Sequence, residues 1–250
     1  MRKLLGIALG LLAIGVIGMM ISSLVFGFGS NGGDYNHKET LDEPFNQIEI
    51  DVKMLTLDVT ESNDQNPHII IENAKDEHQI KYEVKDDILK LSSGDSGWAD
   101  ININVGLINL NDELKVELQL PEKQYERIDI QNDVGSIHID KLFAKQSKID
   151  VDFGDVIVHE VDTEDLIFNV DVGDLELRSV NKDTSMKGDV NVGNADIYYK
   201  EKPDNVTVQT DTNVGEIELN NVFPNSGIVG DGKYNIDLEA NVGDIQVELE

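Results

Sequence analysis

Carboxylates and carboxamides recur in this sequence at fixed offsets from glycine, and oxygen donors in such a pattern point first to divalent-cation chemistry. Asp133, Asp152 and Asp171 stand two residues before Gly135, Gly154 and Gly173, and Asp155 and Asp174 follow the second and third of these directly. If the copies stack, like charges lie about 4.8 Å apart and repel by roughly 1 kcal/mol in water, more where the dielectric is poorer. Calcium, which accepts about six to eight oxygens, would relieve that repulsion, so Asp133, Asp152, Asp155, Asp171 and Asp174 form a candidate calcium set. The competing role is an Asx turn, in which the side-chain oxygen accepts a hydrogen bond from the backbone N–H of its own corner. Asn191, Asn213 and Asn241 hold the same place in later copies. Neutral carboxamides serve a turn and weaken a cation site, so turn chemistry is the favoured reading and calcium the alternative.

Other reactive groups are sparse. His37, His68, His78, His138 and His159 occur singly, none at the close spacing of a zinc site. The chain has no cysteine, which removes a thiol nucleophile, a disulfide framework and a lipoprotein anchor. There is no Gly-x-Ser-x-Gly elbow or phosphate loop, and Gly227, Gly230 and Gly232 follow Pro224 without a strand-to-helix context. Carboxylate pairs are so abundant that no single pair marks a glycosidase. The expectation is a protein that is not an enzyme and has no cofactor beyond the calcium alternative. The rival from the enzyme class is a carbohydrate-active β-helix. Such a site would hold an acidic polysaccharide with basic residues, and Arg127 and Arg178 are the only arginines after Arg2.

What must position these residues is a repeat. An Asx residue, an apolar residue, glycine, a polar residue and an apolar-x-apolar triplet recur around Gly135, Gly154, Gly173, Gly193, Gly215 and Gly243, with a partial copy at Asn104-Val105-Gly106. Counted from Gly106, the intervals are 29, 19, 19, 20, 22 and 28 residues. Two and four residues after glycine the columns are apolar, as in Val156 and Val158 or Leu175 and Leu177. Alternate side chains of a strand face opposite sides, so these line an inner wall. One residue before glycine stand Val134, Phe153, Val172, Val192, Val214 and Val242, and further inward positions include Ile130, Ile149, Phe168 and Leu238. The apolar positions flanking glycine are three apart, so the alternation slips there. A corner that takes positive φ without steric cost explains the glycine.

The predicted fold is all-β: a β-solenoid of about 19–22 residues per coil, stacked rung on rung. The alternative is an antiparallel meander or sandwich in which each glycine pair is a two-residue hairpin turn. Residues 45–121, with alternating runs such as Gln47 to Val52 and Glu113 to Leu120, read as an N-terminal β cap, and 122–250 as the repeat domain. The last coil ends almost at the terminus, leaving Val247 to Glu250 as an expected free edge. The 28-residue interval with Phe223 and Pro224 is expected to fold over that end, with self-association into a homo-oligomer as the alternative.

From Leu4 to Gly29 the chain runs 26 residues without a charge, about 39 Å as a helix, enough to cross a bilayer. Residues 1–29 therefore read as an uncleaved signal anchor, with 30–44 as a linker; a cleaved signal peptide is the alternative. Arg2 and Lys3 place the N-terminus in the cytoplasm and the rest outside, as a single-pass cell-membrane protein. Beyond the run stand 18 basic and 49 acidic residues, a net of −31, which excludes nucleic acid as a partner.

The signal anchor, the early β region closing at Leu120-Pro121 and the Val-Gly-Asp units resemble the putative-adhesin family of Gram-positive envelope proteins, including LiaG-type membrane proteins encoded with envelope-stress regulators. The resemblance covers residues 45 to 250. It implies a β-helical "toast-rack" stack, a cell-envelope location and a binding or envelope-stress role toward an unknown envelope protein or glycan, with no catalytic residues to carry over.

Overall fold

The computed structural model describes residues 33–93, 114–220, 222–224 and 226–250; the apolar run 4–29 and the Asn104-Val105-Gly106 copy lie outside them. The described residues form twenty strands and no helix, so none of their helices could cross a membrane.

Each repeat unit is one rung of a parallel stack. In one such unit β10 (Leu142–Phe153) leads through the Gly154 corner into β11 (Val156–Val158), and the next pairs β12 (Val161–Val172) with β13 (Leu175–Val180). Val151 lies opposite Val170 and Phe153 opposite Val172, so Asp152 and Asp171 are neighbours on adjacent rungs. That arrangement makes a solenoid and overturns the meander alternative. Within the rung, Leu142, Ala144, Ser147, Ile149, Val151, Val156 and Val158 are buried. Each aliphatic member contributes about 1.5–3 kcal/mol by leaving water. Where the chain bends a second time, Ser147, Thr163 and Thr184 line the interior. Thr163 Oγ1 donates to the Lys145 carbonyl at 3.3 Å and Thr184 Oγ1 to the Thr163 carbonyl at 2.8 Å, which satisfies carbonyls that the bend frees.

The apolar column directly before glycine is less enclosed than the columns beyond it. Val134, Phe153, Val172, Val192 and Val242 are half-buried and Val214 is exposed, whereas Val151, Val170 and Val190, two positions earlier, are buried. The bend carries the pre-glycine side chains to the rim of the core instead of its inner wall.

Core columns are also matched in size. Ile130, Ile149, Phe168, Gly188 and Leu238 occupy one column on successive rungs. The Phe168 ring fills the space above Gly188, where a Cβ would lie 1.8 Å from its Cζ. Phe168→Ala leaves that volume empty with a glycine beside it, so we expect a loss of about 3–5 kcal/mol, read as a lowered denaturant midpoint at unchanged slope. A loss under about 1 kcal/mol would show that the stack closes up around the gap.

The order of rungs is not the order of the chain. The first strand of the described residues is β1 (Tyr35–Thr40), which pairs with a later strand and so corrects the expectation that 30–44 is only a linker; β2 (Gln47–Met54) and β3 (Thr56–Glu61) follow and form a rung. That rung is flanked on one side by β8 (Tyr125–Val134) with β9 (Ile137–Ile139) and on the other by β6 (Ile88–Ser93) with β7 (Lys115–Leu120). At the far end, β14 (Ser185–Val192) and β15 (Ala195–Tyr199) pair with β19 (Tyr234–Val242) and β20 (Ile245–Leu249). That C-terminal rung in turn carries β16 (Val206–Val214) and β17 (Ile217–Glu218). The C-terminal rung is thus interior along β19 and at Ile245 and Gln246, while Val247 to Leu249 pair with β15 on one side only, so the expected edge is kept there. Elsewhere the edge belongs to the preceding unit, and β18 (Ser226–Val229) folds antiparallel across β16 as a partial cap. At the other end β5 (Ile80–Lys85) covers β6, while β4 (His68–Ala74) covers β7 and is itself covered by β1, all antiparallel.

Candidate functional site

The glycine corners align into one edge of the stack, and the residues singled out for cation chemistry lie along it. Gly154, Gly173, Gly193, Gly243 and Gly215 follow one another, linked by N–H donation from Gly154 to Val172, Gly173 to Val192, Gly193 to Val242 and Gly243 to Val214, at 2.9–3.0 Å. Their φ angles fall between 144° and 149°, a region closed to other residues.

Two side-chain ladders flank the glycines. After glycine, Asp155 Oδ1 accepts the Asp174 N–H at 2.9 Å, Asp174 Oδ1 that of Asn194 at 2.8 Å, Asn194 Oδ1 that of Asp244 at 3.1 Å and Asp244 Oδ1 that of Glu216 at 2.8 Å. The oxygens serve the backbone of the next rung and not their own corner. This corrects the Asx-turn reading: the residue type is kept to tie rung to rung. Two residues before glycine, carboxamides bond each other. Asn213 Nδ2 donates to Asn241 at 2.6 Å, Asn241 to Asn191 at 2.6 Å and Asn191 to Asp171 at 2.7 Å. A carboxamide both donates and accepts, so it extends such a ladder indefinitely, whereas a carboxylate only accepts. The ladder therefore ends at Asp171, below which Asp152 and Asp133 continue as bare carboxylates.

Burial raises the Asp152 pKa, and the neighbouring charges of Asp133, Asp171 and Asp150 raise it further. Asp133 is raised too, by burial and then by Asp51. A folded-state pKa above the unfolded value means that the native state binds the proton more tightly, so this pair destabilises the fold at neutral pH and relaxes as pH falls through the raised values. Asp152→Asn removes the repulsion and supplies a donor for both neighbours. We expect a gain of about 1 kcal/mol at pH 7, discounted for solvent screening, that shrinks below about pH 4 where Asp152 of the parent is itself protonated. Urea midpoints at the two pH values check it; an equal gain at both would refute the repulsion account.

Of the candidate calcium residues, Asp133, Asp152 and Asp171 form one line and Asp155 and Asp174 a second. Among the described residues no group of three or more His, Asp or Glu side chains converges as a cation cage would require.

The closest approach to acid–base machinery lies on the N-terminal caps, where sequence reading saw only single histidines. His68 is buried, with Nε2 at 2.8 Å from Asp64 Oδ1 and Nδ1 at 3.0 Å from Thr40 Oγ1. The His68 hydrogen bond, with help from the Asn66 N–H and the Ser62 hydroxyl, lowers the Asp64 pKa to about 2. The same carboxylate bonds the Asn66 N–H at 3.1 Å and accepts from Ser62 at 3.0 Å, so the cluster pins the loop 62–66 and the β1–β4 pair. A second cluster joins His37, Glu39 and Tyr82 across β1 and β5. His138 rests on Asp58 at 3.1 Å and His159 on Asp140 at 3.5 Å. Cross-strand pairs of this kind were invisible in the sequence because 28 residues separate Thr40 from His68.

Two of the surface depressions lie beside these groups. One, of about 730 Å³, lies between the loops 41–45, 61–67 and 121–125, where the Lys123 ammonium sits 4.7 Å from the Tyr125 ring centre and burial lowers its pKa. The other, of about 510 Å³, runs across the outer face of β8, β10, β12, β14 and β19 and is lined by Arg127, Lys148, Ile167 and Lys187, with Asp129, Asp165 and Asp237 among its acids. Ile167 is 43% exposed there, between Lys148 and Lys187 on the adjoining rungs.

The chain is similar to several solved structures, two of them as follows. One is described as a "putative cell adhesion protein" from Clostridium sporogenes, with 17% identity over 86% of this chain and 99% of the other and a TM-score of 0.46. The second is a "putative adhesin" from Bacteroides fragilis, with 16% identity over 88% and 100% of the two chains and a TM-score of 0.46. No curated protein matches it. The sequence profile described as Toastrack DUF4097 matches residues 45–250, which takes in every rung from β2 to β20, and the chain belongs to that family.

Proposed function

We propose that this protein is a non-enzymatic, membrane-anchored, extracytoplasmic component of the cell envelope that binds another envelope protein or glycan through a lateral face of its stack. The observation that carries the reading is the outer face of β8 to β19, where Ile167, 43% exposed, stands between two lysines in a chain segment of net charge −31. Arg127, Lys148 and Lys187 balance Asp129, Asp165 and Asp237 there, so an apolar contact stands in a charge-balanced patch of an acidic chain. Anchoring rests on the uncharged run Leu4 to Gly29 with Arg2 and Lys3 before it. The absence of catalysis rests on side chains engaged in rung-to-rung and loop-pinning bonds, with no set aimed at one vacant point among the described residues.

A photoreactive residue in place of Ile167 in the full chain, expressed in cells, is expected to capture one envelope component, while the same residue at Glu83 on the N-terminal cap strand β5 captures none. Equal capture at both positions would remove the face from consideration. Extraction of the full chain by alkaline carbonate would remove the anchor, and turnover of a uronate polymer by the purified protein would overturn the non-enzymatic reading.

A further inference from the structure

The depression of about 730 Å³ between the loops 41–45, 61–67 and 121–125 has stiff walls. Pro44, Pro67 and Pro121, three of the chain's five prolines, stand in them, each with its φ fixed by its ring. The loop 62–66 is pinned from within, because Asp64 Oδ1 bonds Ser62 at 3.0 Å, the Asn66 N–H at 3.1 Å and His68 at 2.8 Å. Asn63 and Gln65 alternate with these residues, and their carboxamides make no hydrogen bond among the described residues. A preformed hollow of this size is in the range of small-ligand sites, about 300–1,000 Å³.

Its wall holds a buried donor without a proper acceptor. Tyr125 is 3% exposed, with its ring 6.2 Å from that of Phe45, and its hydroxyl reaches only the Pro121 carbonyl, at 3.5 Å. An O–H···O bond is normally about 2.5–3.0 Å long, and buried polar groups are seldom left short of one. Burial raises the Tyr125 pKa, so the hydroxyl keeps its proton. Around the mouth the charge is one-sided. Asp42, Glu43 and Glu61 have no basic partner among the described residues, whereas Glu122 is paired with Lys141 at 2.8 Å. Lys123, the one cation of the lining, donates to the Phe45 carbonyl and lies over the Tyr125 ring, so the wall itself satisfies its ammonium. None of the large apolar side chains that the described residues expose lines this hollow.

We propose that this depression binds a saccharide unit that carries a free amine. Sugar hydroxyls both donate and accept, as do the carboxamides of Asn63 and Gln65 and the Tyr125 hydroxyl. An ammonium group on the ring finds the unpaired carboxylates, and the field of a segment of net charge −31 draws it in. An acidic sugar would meet those carboxylates as like charges, and an apolar ligand would leave every polar group of the lining dry. A lysine side chain of a peptide answers the carboxylates but leaves the carboxamides and the tyrosine hydroxyl without partners. The hollow shares no lining residue with the depression around Ile167, so the proposal goes beyond the lateral-face reading and stands without it.

The full-length chain in detergent micelles at physiological salt is titrated with the β-1,4-linked glucosamine trimer, its N-acetylated counterpart and trilysine, and binding is followed by calorimetry. The glucosamine trimer is expected to bind saturably at one site, and the other two at least about tenfold more weakly. Tyr125→Phe should weaken the trimer about fivefold and Glu61→Gln about tenfold, while Asp237→Asn on the lateral face leaves it unchanged. Tyr125→Phe keeps the buried ring and Glu61 is exposed, so both variants should melt with the parent, and either one alone suffices if the other is unstable. Four results overturn the proposal: no saturable binding, binding that neither variant weakens, equal binding of the acetylated trimer, or trilysine binding as tightly at the same site.

Discussion

Removal of Tyr234 to Glu250 is expected to abolish cooperative folding of the stack beyond β13, although β19 and β20 come last in strand order. In a solenoid whose units stack in chain order, deleting the final unit trims one end and leaves the remainder nearly intact. Here β19 and β20 lie between β14 with β15 on one side and β16 with β17 on the other. The deletion strips both neighbours of their partner strands and exposes what packed on Ile236, Leu238, Ala240, Ile245 and Val247, all buried. Five such side chains at about 1.5–3 kcal/mol for the larger ones sum to the order of 10 kcal/mol, comparable with the whole stability of a domain. Limited proteolysis is expected to cut between residues 180 and 233, and the thermal transition to broaden or vanish. A truncated protein that melts cooperatively within a few degrees of the full chain would mean that β16 and β17 can take the vacated place, and the observed rung order would then contribute little to stability.

Gly173→Ala is expected to be nearly as damaging. The added Cβ would lie 2.0 Å from the Gly154 carbonyl oxygen, and the residue would be held at φ 149°. Two costs combine. A non-glycine residue in that backbone region costs about 1–3 kcal/mol by itself. The overlap with a backbone oxygen cannot be relieved by turning a side chain, so rung spacing must open locally and the Gly173 N–H bond to Val192, 3.0 Å long, is strained with it. A total loss of about 4 kcal/mol or more follows. Gly227→Ala is the control, because Gly227 has φ 126° with open space around its Cβ position. It should show the backbone cost alone. Chemical denaturation of the two variants gives the comparison, and equal losses would show that close approach of the rungs is not what requires glycine at the corners.

The two expectations bear on how much of this molecule was legible beforehand. The repeat phrase, the corner glycines and the inner columns at Val156 and Val158 or Leu175 and Leu177 were readable because they follow from strand periodicity and from the sterics of positive φ, which act within a few residues. The site was read less well. Asp155 and Asp174 were recognised as recurring oxygens at a corner, but their partners are N–H groups 19 and 20 residues away and not those of their own turn. The His68 cluster joins Thr40 to Asp64 through two antiparallel cap strands, a contact that no local spacing announces.

The sequence alone determined that the chain builds glycine-cornered, acid-faced rungs with an aliphatic interior, since inward and outward positions, the bend and the charge are properties of each unit by itself. Only the tertiary structure decided the order in which the rungs stack. Successive units offer one another nearly identical edges, with the same valines, glycines and Asx oxygens in register, so any two neighbours pair almost equally well. The choice falls to what differs between units: the connections that carry the chain past a displaced rung, 121–124 between β7 and β8 and 200–205 between β15 and β16, and the cap strands β1, β4, β5 and β18 that close whichever edge is left outermost.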